Sequence, residues 1–324
     1  MDKARKWTDE HLAEMELHIR QIYTQAQDEL TEKWDAYMRR GESRLQGLYD
    51  AYVMAPVDEK PDALKKYQDA LENYTLKNKW YQDMVDATAF RIAHVNEIAL
   101  AYINGEVPAI YVRNFNQLSV DVVGLDFNWT LRDEYMVRNL IRDTIPENKL
   151  NVAKDVLWNT KKINASVLQG VLQGESIKKI AKRLLPVVDN NKVSALRTAR
   201  TTVTRAENRG RQDRYEEYES RGLVLHKMWI ATPDGRTRDW HLSMDGQEVG
   251  IHKRFIDGNG EKLMFPGDPS GSPKTTYNCR CSMESIIIGV KGKHGKTIPM
   301  KDYRAGVESF HQRQIKAERE KRDE

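Results

Sequence analysis

The fold is decided by the stretch at residues 191–230, which has the sequence NKVSALRTARTTVTRAENRGRQDRYEEYESRGLVLHKMWI. In its first thirty residues apolar or small side chains recur at helical spacing, which predicts a helix over about 191–220 with one packed face. These residues are Val193, Leu196, Val203, Ala206 and Gly210. The composition then shifts, and residues 223–230 predict a β-strand. The stretch therefore joins a helical region to a region that contains strands.

Two long helices are predicted upstream of this stretch. Apolar residues spaced by three and four predict the first helix over about 7–55, and Pro56 and Pro61 interrupt the pattern. The second is predicted over 62–103 and ends at Asn104-Gly105, a pair that tolerates a left-handed backbone. Short extended pieces and loops are predicted over 107–127.

Between these regions the pattern is again helical. It resumes near Leu131 and Tyr135, and Pro146 fits the first turn of a helix that continues to about Trp158. Residues 165–185 predict two helices separated at Gly174, with Ser176 as the second N-cap and Pro186 as the stop. The sequence therefore predicts that this part of the chain is helical.

Downstream of the opening stretch, turn signals alternate with short apolar runs. Pro233-Asp234-Gly235 indicates a turn, and 255–256 with 262–265 predict a hairpin across Asp-Gly-Asn-Gly. Residues 280–288 predict the last strand. After Val290 the chain becomes basic and polar, which is typical of a charged helix or a frayed tail.

Together these patterns predict an α+β fold, mainly α-helical at the N-terminus and followed by a small β-rich α+β domain. We expect a long-helix region over 1–130, a helical linking region over 131–220, the α+β domain over 221–290 and a basic charged tail over 291–324.

Composition excludes several classes of protein. The 52 basic and 48 acidic residues give a net charge of only +4, which does not by itself indicate a nucleic-acid binder. No apolar run reaches the roughly 18 residues of a membrane-spanning helix, and no apolar segment typical of a signal peptide follows the N-terminus. Two cysteines do not make a disulfide scaffold, so we expect synthesis in a reducing cytoplasm.

Several short motifs follow one another between residues 197 and 281. They are Ala199-Arg200-Thr201, Arg205-Ala206-Glu207-Asn208-Arg209-Gly210, Trp229 with Thr232 and Asp234, Arg236-Thr237-Arg238-Asp239-Trp240-His241, Met244-Asp245-Gly246-Gln247, Phe265-Pro266-Gly267-Asp268-Pro269 and Asn278-Cys279-Arg280-Cys281. In order and spacing they resemble the phage head morphogenesis family typified by the F protein of phage Mu. Residues 101–116 also look like members from phages of Gram-positive hosts. Thr202 departs from the pattern, because an acidic residue is expected there.

The resemblance implies a function. It implies a minor head protein of a tailed bacteriophage, a low-copy structural component of the virion that acts near the portal or the inner shell. The implied partners are the portal protein and the major capsid or scaffold protein. The resemblance implies structural roles for Arg200, Thr201, Glu207, Asn208, Trp229, Asp234, Arg236, Asp239, His241, Asp245, Gly246, Pro266, Asn278, Cys279, Arg280 and Cys281, and no catalytic residue.

The predicted helix over 191–220 carries a polar face. Arg200, Thr204, Glu207 and Arg211 are spaced by four, three and four, so they share one side of the helix. We interpret this face as a partly buried polar seam that fixes how the helix docks on the β-rich domain. The alternative is phage DNA bound through a basic surface, because residues 191–214 hold seven basic and two acidic side chains.

The two cysteines allow two interpretations. On a strand, Cys279 and Cys281 face the same side as Met283, which favours small buried hydrophobic side chains. The less favoured alternative is a zinc site made by Cys279, Cys281 and His241, with Asp239 or Asp245 as a fourth ligand. A disulfide between same-face neighbours would be strained.

An enzyme remains the rival class, either a metal-dependent hydrolase or a toxin-like effector delivered with phage DNA. Against it, the sequence has no Gly-rich nucleophile turn and no phosphate-cradling loop. We therefore expect His241 to order a loop by hydrogen bonds, and Asp245-Gly246 to form a turn.

Overall fold

The computed structural model describes residues 3–116, 141, 145–232, 234–292 and 295–305, together with residues 308 and 313. The first helix, α1 (Lys3–Met54), confirms the first predicted long helix and begins four residues earlier. Its buried residues recur every three to four positions, as the sequence pattern predicts. They include Met15, Ile19, Tyr23, Ala26 and Leu30.

Where the sequence predicts a second long helix, the structure has two helices, α2 (Lys60–Tyr74) and α3 (Lys79–Asn116). The sequence signal for the break is Asn78, whose side-chain oxygen accepts a hydrogen bond of 2.9 Å from the backbone N–H of Trp80. This is the contact by which an Asn side chain satisfies an otherwise unbonded N–H at a helix start.

The predicted end at Asn104-Gly105 is wrong, because α3 continues to Asn116 with Pro108 inside it. A proline in a helix costs about 3 kcal/mol, whereas each fully buried large apolar side chain contributes about 1.5–3 kcal/mol. The apolar face beyond Gly105 is buried and offsets the proline: Val107, Ile110, Tyr111 and Phe115. The loops predicted from 107 are therefore wrong as far as 116. The rest of that segment, and the pattern near Leu131 and Tyr135, lie outside the described residues.

The next helix, α4 (Val152–Leu172), corrects the prediction that a helix begins at Pro146. Its N-cap is Asn151, whose side chain accepts a hydrogen bond of 3.0 Å from Lys154 N. α5 (Ile177–Lys182) begins after Ser176, as predicted. α6 (Leu185–Ser220) begins six residues before the predicted position, and Pro186 lies in its first turn instead of ending a helix.

The strand β1 (Leu223–Ile230) has the predicted bounds. It is central in an antiparallel sheet of order β2-β1-β5-β6, with β2 (Glu248–Gly250), β5 (Ser282–Lys291) and β6 (Thr297–Pro299). The strand predicted at 280–288 is β5, shifted by two or three residues, and it is not the last, since β6 follows in the predicted tail. A separate hairpin of β3 (Phe255–Ile256) and β4 (Lys262–Leu263) confirms the hairpin prediction. Two short helices, α7 (Asp239–Leu242) and α8 (Pro273–Thr276), lie between the strands.

The chain divides into two compact units. The sheet unit comprises Met1–Leu12, Gly105–Glu147 and Thr198–Glu324, and the helical unit comprises Ala13–Asn104 and Asn148–Arg197. The α+β fold class is confirmed, with long helices in the N-terminal part and a small antiparallel sheet in the C-terminal part. None of the described helices is long and apolar enough to cross a membrane.

Each unit has its own core. In the helical unit, buried side chains also form hydrogen bonds: Trp34 Nε1 donates to Thr88 Oγ1 at 2.9 Å, and Asn96 Nδ2 donates to Asp155 and Asn191 at 2.8 Å. In the sheet unit, one cluster of buried residues fills the space around β1 and β5. It includes Leu225, Trp229, Phe255, Cys279, Cys281 and Met283.

Candidate functional site: a helix–strand seam and a Cys–His cluster

Side chains of α6 donate hydrogen bonds to alternate carbonyl groups of the segment 278–283, and we call this contact the seam. Thr204 Oγ1 donates to the carbonyl of Cys279 at 2.6 Å, and Asn208 Nδ2 to that of Cys281 at 3.2 Å. Arg211 Nη1 donates to the carbonyl of Met283 at 3.2 Å. The spacings are compatible, because three to four helical residues rise about 4.5–6 Å and two residues of an extended segment advance about 6.6 Å.

The seam continues at both ends. Thr201 Oγ1 accepts a hydrogen bond of 2.9 Å from the backbone N–H of Asn278, and Tyr215 OH donates to the carbonyl of Met283 at 3.3 Å. Asn278 has a φ of 56°, a left-handed conformation that Asn tolerates better than most residues. Arg200 lies one turn before Thr204 and is half-buried.

A buried carboxylate lies within the seam. Glu207 Oε1 accepts a hydrogen bond of 2.8 Å from Ser282 Oγ and lies 3.3 Å from Arg211 Nη2. Burial raises the pKa of Glu207, and the Arg211 guanidinium opposes this shift. The structure thus brings together Thr204, Glu207 and Arg211, the residues that the helical spacing places on one face.

A glycine allows the loop after β4 to approach α6 closely. Gly267 has a φ of 82°, and a Cβ atom there would lie 3.1 Å from Arg205 N. Arg205 Nε donates a hydrogen bond of 3.1 Å to the carbonyl of Gly267. Pro266 is buried beside it. The Phe-Pro-Gly motif is therefore a docking point for the helix.

An ion pair fastens the loop after β1 to the same segment. The two terminal nitrogens of the Arg280 guanidinium contact the Asp234 carboxylate, and the Nη2–Oδ1 distance is 2.6 Å. The pair holds the pKa of Asp234 well below its usual range. Thr232 Oγ1 donates to the carbonyl of Arg280 at 2.6 Å, and Asp234 Oδ1 also accepts from the backbone N–H of Arg236 at 3.0 Å.

The sulfur atoms of Cys279 and Cys281 and the imidazole of His241 form a buried cluster. His241 Nδ1 lies 3.6 Å from each Sγ atom, and the three donor atoms all lie within 4.8 Å of one another. His241 is in α7, and its ring packs edge-on against Trp229 at a centroid distance of 5.5 Å. A hydrogen bond between the two cysteines lowers the pKa of Cys281 and raises that of Cys279.

The two aspartates considered as fourth ligands lie outside this cluster. Asp239 is exposed at the start of α7. Asp245 is also exposed, and its Oδ1 accepts a hydrogen bond of 2.8 Å from the backbone N–H of Ala231. Gly246, with a φ of 73°, follows it in a turn, and its N–H donates to the carbonyl of Trp229 at 2.9 Å.

Sequence reasoning missed Lys227, although a signal was present. Alternation along β1 puts Lys227 on the same face as Leu225 and Trp229, and all three are buried. Its Nζ donates to Gln212 Oε1 at 3.0 Å and to the carbonyl of Met264 at 2.7 Å. Burial lowers the pKa of Lys227 to about 7.

Residues 191–214 hold more basic than acidic side chains, but only some of the basic ones lie on the surface. Arg205, Arg211 and Arg214 are buried. Lys192 pairs with Asp189, and Arg209 pairs with Asp213. The segment therefore offers less free positive charge to DNA than its composition indicates.

Comparison with known proteins gives three matches. Residues 161–284 match the model of the Phage Mu protein F like family. The Minor head protein GP7 of Bacillus phage SPP1 is 22% identical over 281 residues, which cover 85% of this chain and 87% of that protein. The NAD(+)–arginine ADP-ribosyltransferase EFV of Enterococcus faecalis is 31% identical over 131 residues, 40% of this chain, and the match spans only 26% of that enzyme. No solved structure matches the chain.

The family match contains every residue of the seam and of the Cys–His cluster. It also contains the ordered motifs between 197 and 281 that suggested the resemblance. Residues 161–284 of this chain are therefore similar to the Phage Mu protein F like family in the part that holds the seam and the cluster.

Proposed function

We propose that the chain is a minor head protein of a tailed bacteriophage, with a structural role in head assembly near the portal or the inner shell. The observation that carries the proposal is the similarity to the Minor head protein GP7 of Bacillus phage SPP1, which extends over 85% of this chain and 87% of that protein. A match of this length compares whole proteins rather than one shared domain. The proposed partners are the portal protein and the major capsid or scaffold protein.

The seam suits a structural role. Several of its polar groups form contacts between α6 and the segment 278–283, such as those of Thr204 and Asn208 with backbone carbonyls. Buried hydrogen bonds between a helix and a strand segment hold the two elements in one arrangement. A rigid sheet unit can present a constant surface to the other components of the head.

A candidate contact surface lies on α4. Leu157, Leu168 and Leu172 are 55%, 44% and 67% exposed, and their spacing of eleven and four places them along one side of the helix. Exposed apolar side chains grouped in this way mark surfaces that bind other proteins. We assign this surface to a protein of the head and call it the α4 stripe. Binding of phage DNA is less well supported, because three arginines of the basic segment are buried.

We do not assign to this chain the ADP-ribosyltransferase activity for which the enterococcal relative is named. The match spans about a quarter of that enzyme, so the shared part is a fraction of the protein to which the name refers. A toxin-like effector delivered with phage DNA stays the rival proposal.

The proposal is tested in the phage that encodes the chain. A nonsense mutation in the gene should reduce the yield of infectious particles and give heads of altered composition or DNA content. A plasmid copy of the wild-type gene should restore both. Heads of normal number, composition and infectivity without the chain would overturn the proposal.

A further inference from the structure

Two sulfur atoms and one nitrogen atom surround a common point in the sheet unit. Cys279 Sγ and Cys281 Sγ each lie 3.6 Å from the same atom, His241 Nδ1. Zinc bonds of about 2.3 Å to sulfur and about 2.0–2.1 Å to nitrogen, at tetrahedral angles, put these donors about 3.6 Å apart. The two sulfur–nitrogen separations are those of ligands that share one zinc ion, and all three donor atoms lie within 4.8 Å of one another.

Hydrogen bonding alone accounts less well for two sulfur atoms at equal distances from one nitrogen atom. Nδ1 of a neutral imidazole carries either one proton or one lone pair, so it makes one good hydrogen bond. Two sulfur atoms at equal distances from it compete for that bond. A metal ion at the common point uses all three donors at once.

A zinc ion bound by these three ligands would carry a net charge that suits their burial. His241, Cys279 and Cys281 are 1%, 2% and 2% exposed, and an unpaired charge is costly in such a place. Two thiolates, one neutral imidazole and one Zn²⁺ add up to zero net charge. Soft thiolate ligands also select zinc over the hard cations Mg²⁺ and Ca²⁺.

The surrounding chain holds the ligands in place. The seam fixes the carbonyls of both cysteines through Thr204 and Asn208, and the backbone N–H of Cys281 points at Cys279 Sγ at 3.4 Å. N–H groups directed at a metal-bound sulfur are the outer contacts that orient such ligands. Trp229 packs against the imidazole edge and restricts its rotation.

We propose that His241, Cys279 and Cys281 bind one zinc ion, which ties α7 to the start of β5. The described residues supply these three ligands and no further His, Cys, Asp or Glu at the cluster. The proposal reaches beyond head assembly, since it concerns the purified chain and does not depend on the identity of the partners.

The test begins with the full chain purified without chelators. Elemental analysis should find about one zinc per chain, as for a structural site of this kind. After chelation, titration with Co²⁺ should produce the near-ultraviolet absorption of a cobalt–thiolate bond and saturate at one equivalent. Removing the metal should lower the thermal midpoint, and adding zinc should restore it.

Two variants make the test specific. Cys281→Ser should lose stoichiometric zinc and the cobalt–thiolate band, whereas His252→Ala, a change at an exposed histidine outside the cluster, should keep both. If Cys281→Ser does not fold, the cobalt titration of the wild-type chain decides alone. Substoichiometric zinc with no cobalt–thiolate absorption, or cobalt binding that Cys281→Ser retains, would overturn the proposal.

Discussion

Thr204 Oγ1 lies 2.6 Å from the carbonyl oxygen of Cys279, 75 residues further along the chain, and donates a hydrogen bond to it. This contact joins the long helix α6 to the segment that carries both cysteines. Two further contacts, from Asn208 and Arg211, repeat it along the segment. The helix thereby fixes the backbone from which the cluster is built.

Replacing Thr204 by valine should destabilise the sheet unit. The change keeps the shape of the side chain but leaves the buried carbonyl of Cys279 without its donor, which costs about 1–3 kcal/mol. Urea denaturation followed by circular dichroism measures the loss. Thr297→Val, the same change at an exposed threonine of β6, is the control and should be close to neutral. Equal midpoints for the two variants would show that the contact contributes nothing.

Replacing Glu207 by alanine should lower the free energy of unfolding by more than the Thr204→Val change. It removes the acceptor of Ser282 and leaves Arg211 buried near the gap, and breaking a buried pair in this way costs about 3–5 kcal/mol. Glu284→Ala removes an exposed carboxylate from β5 and serves as the control. Thermal unfolding of both variants, with the yield of soluble protein, checks the expectation. A Glu207→Ala protein as stable as the control would refute the buried network.

Lys227 should make stability depend on pH. Its pKa is about 7 in the folded chain, against an ordinary value of 10.5, because desolvation outweighs the attraction of Glu216 and Asp268, and Arg254 adds repulsion. Between these two values the unfolded chain binds more protons, so the free energy of unfolding should rise as the pH rises from about 7 to about 10.

The variant Lys227→Met isolates this effect. Denaturation of both proteins at pH 7, 8 and 9 should show the wild-type chain gaining stability relative to the variant as the pH rises. The other titrating groups cancel in the difference. A difference that stays constant, or that falls, would contradict the depressed pKa.

The α4 stripe should matter for assembly and not for folding. Leu168→Glu with Leu172→Glu places two charges on an exposed apolar surface, so the thermal midpoint should change little while incorporation into heads falls. Lys154→Glu with Lys161→Glu changes charge on the same helix without removing apolar surface. Immunoblots of purified heads compare the two double variants. Similar incorporation of both would exclude the stripe as a contact surface.

Much of the helical structure follows from the sequence, because buried residues recur at helical spacing along α1, and apolar or small residues recur at that spacing in the sequence of α6. The errors arise where long-range packing outweighs local signals. Pro108 and Gly105 indicate a helix end, yet the buried face of α3 continues past both. Short edge strands such as β6, with Pro299 at its end, carry too few residues to give a pattern.

The sequence predicts which residues form the candidate site, but it does not predict the distances between them. Spacing alone places Thr204, Glu207 and Arg211 on one helix face, and strand alternation groups Cys279 with Cys281. Neither pattern indicates that His241 lies 3.6 Å from both sulfur atoms, because that depends on how the loop after β1 folds back. The domain boundaries at 130, 220 and 290 stay a prediction.

Whether this chain is a component of the phage head can be measured in the particles themselves. Quantitative mass spectrometry of purified proheads, mature heads and emptied heads, calibrated against the major capsid protein, gives its copy number in each. We expect the chain at low and constant copy number in proheads and mature heads. Its absence from all three particles, with the protein found only free in the lysate, would show that it is not a head protein.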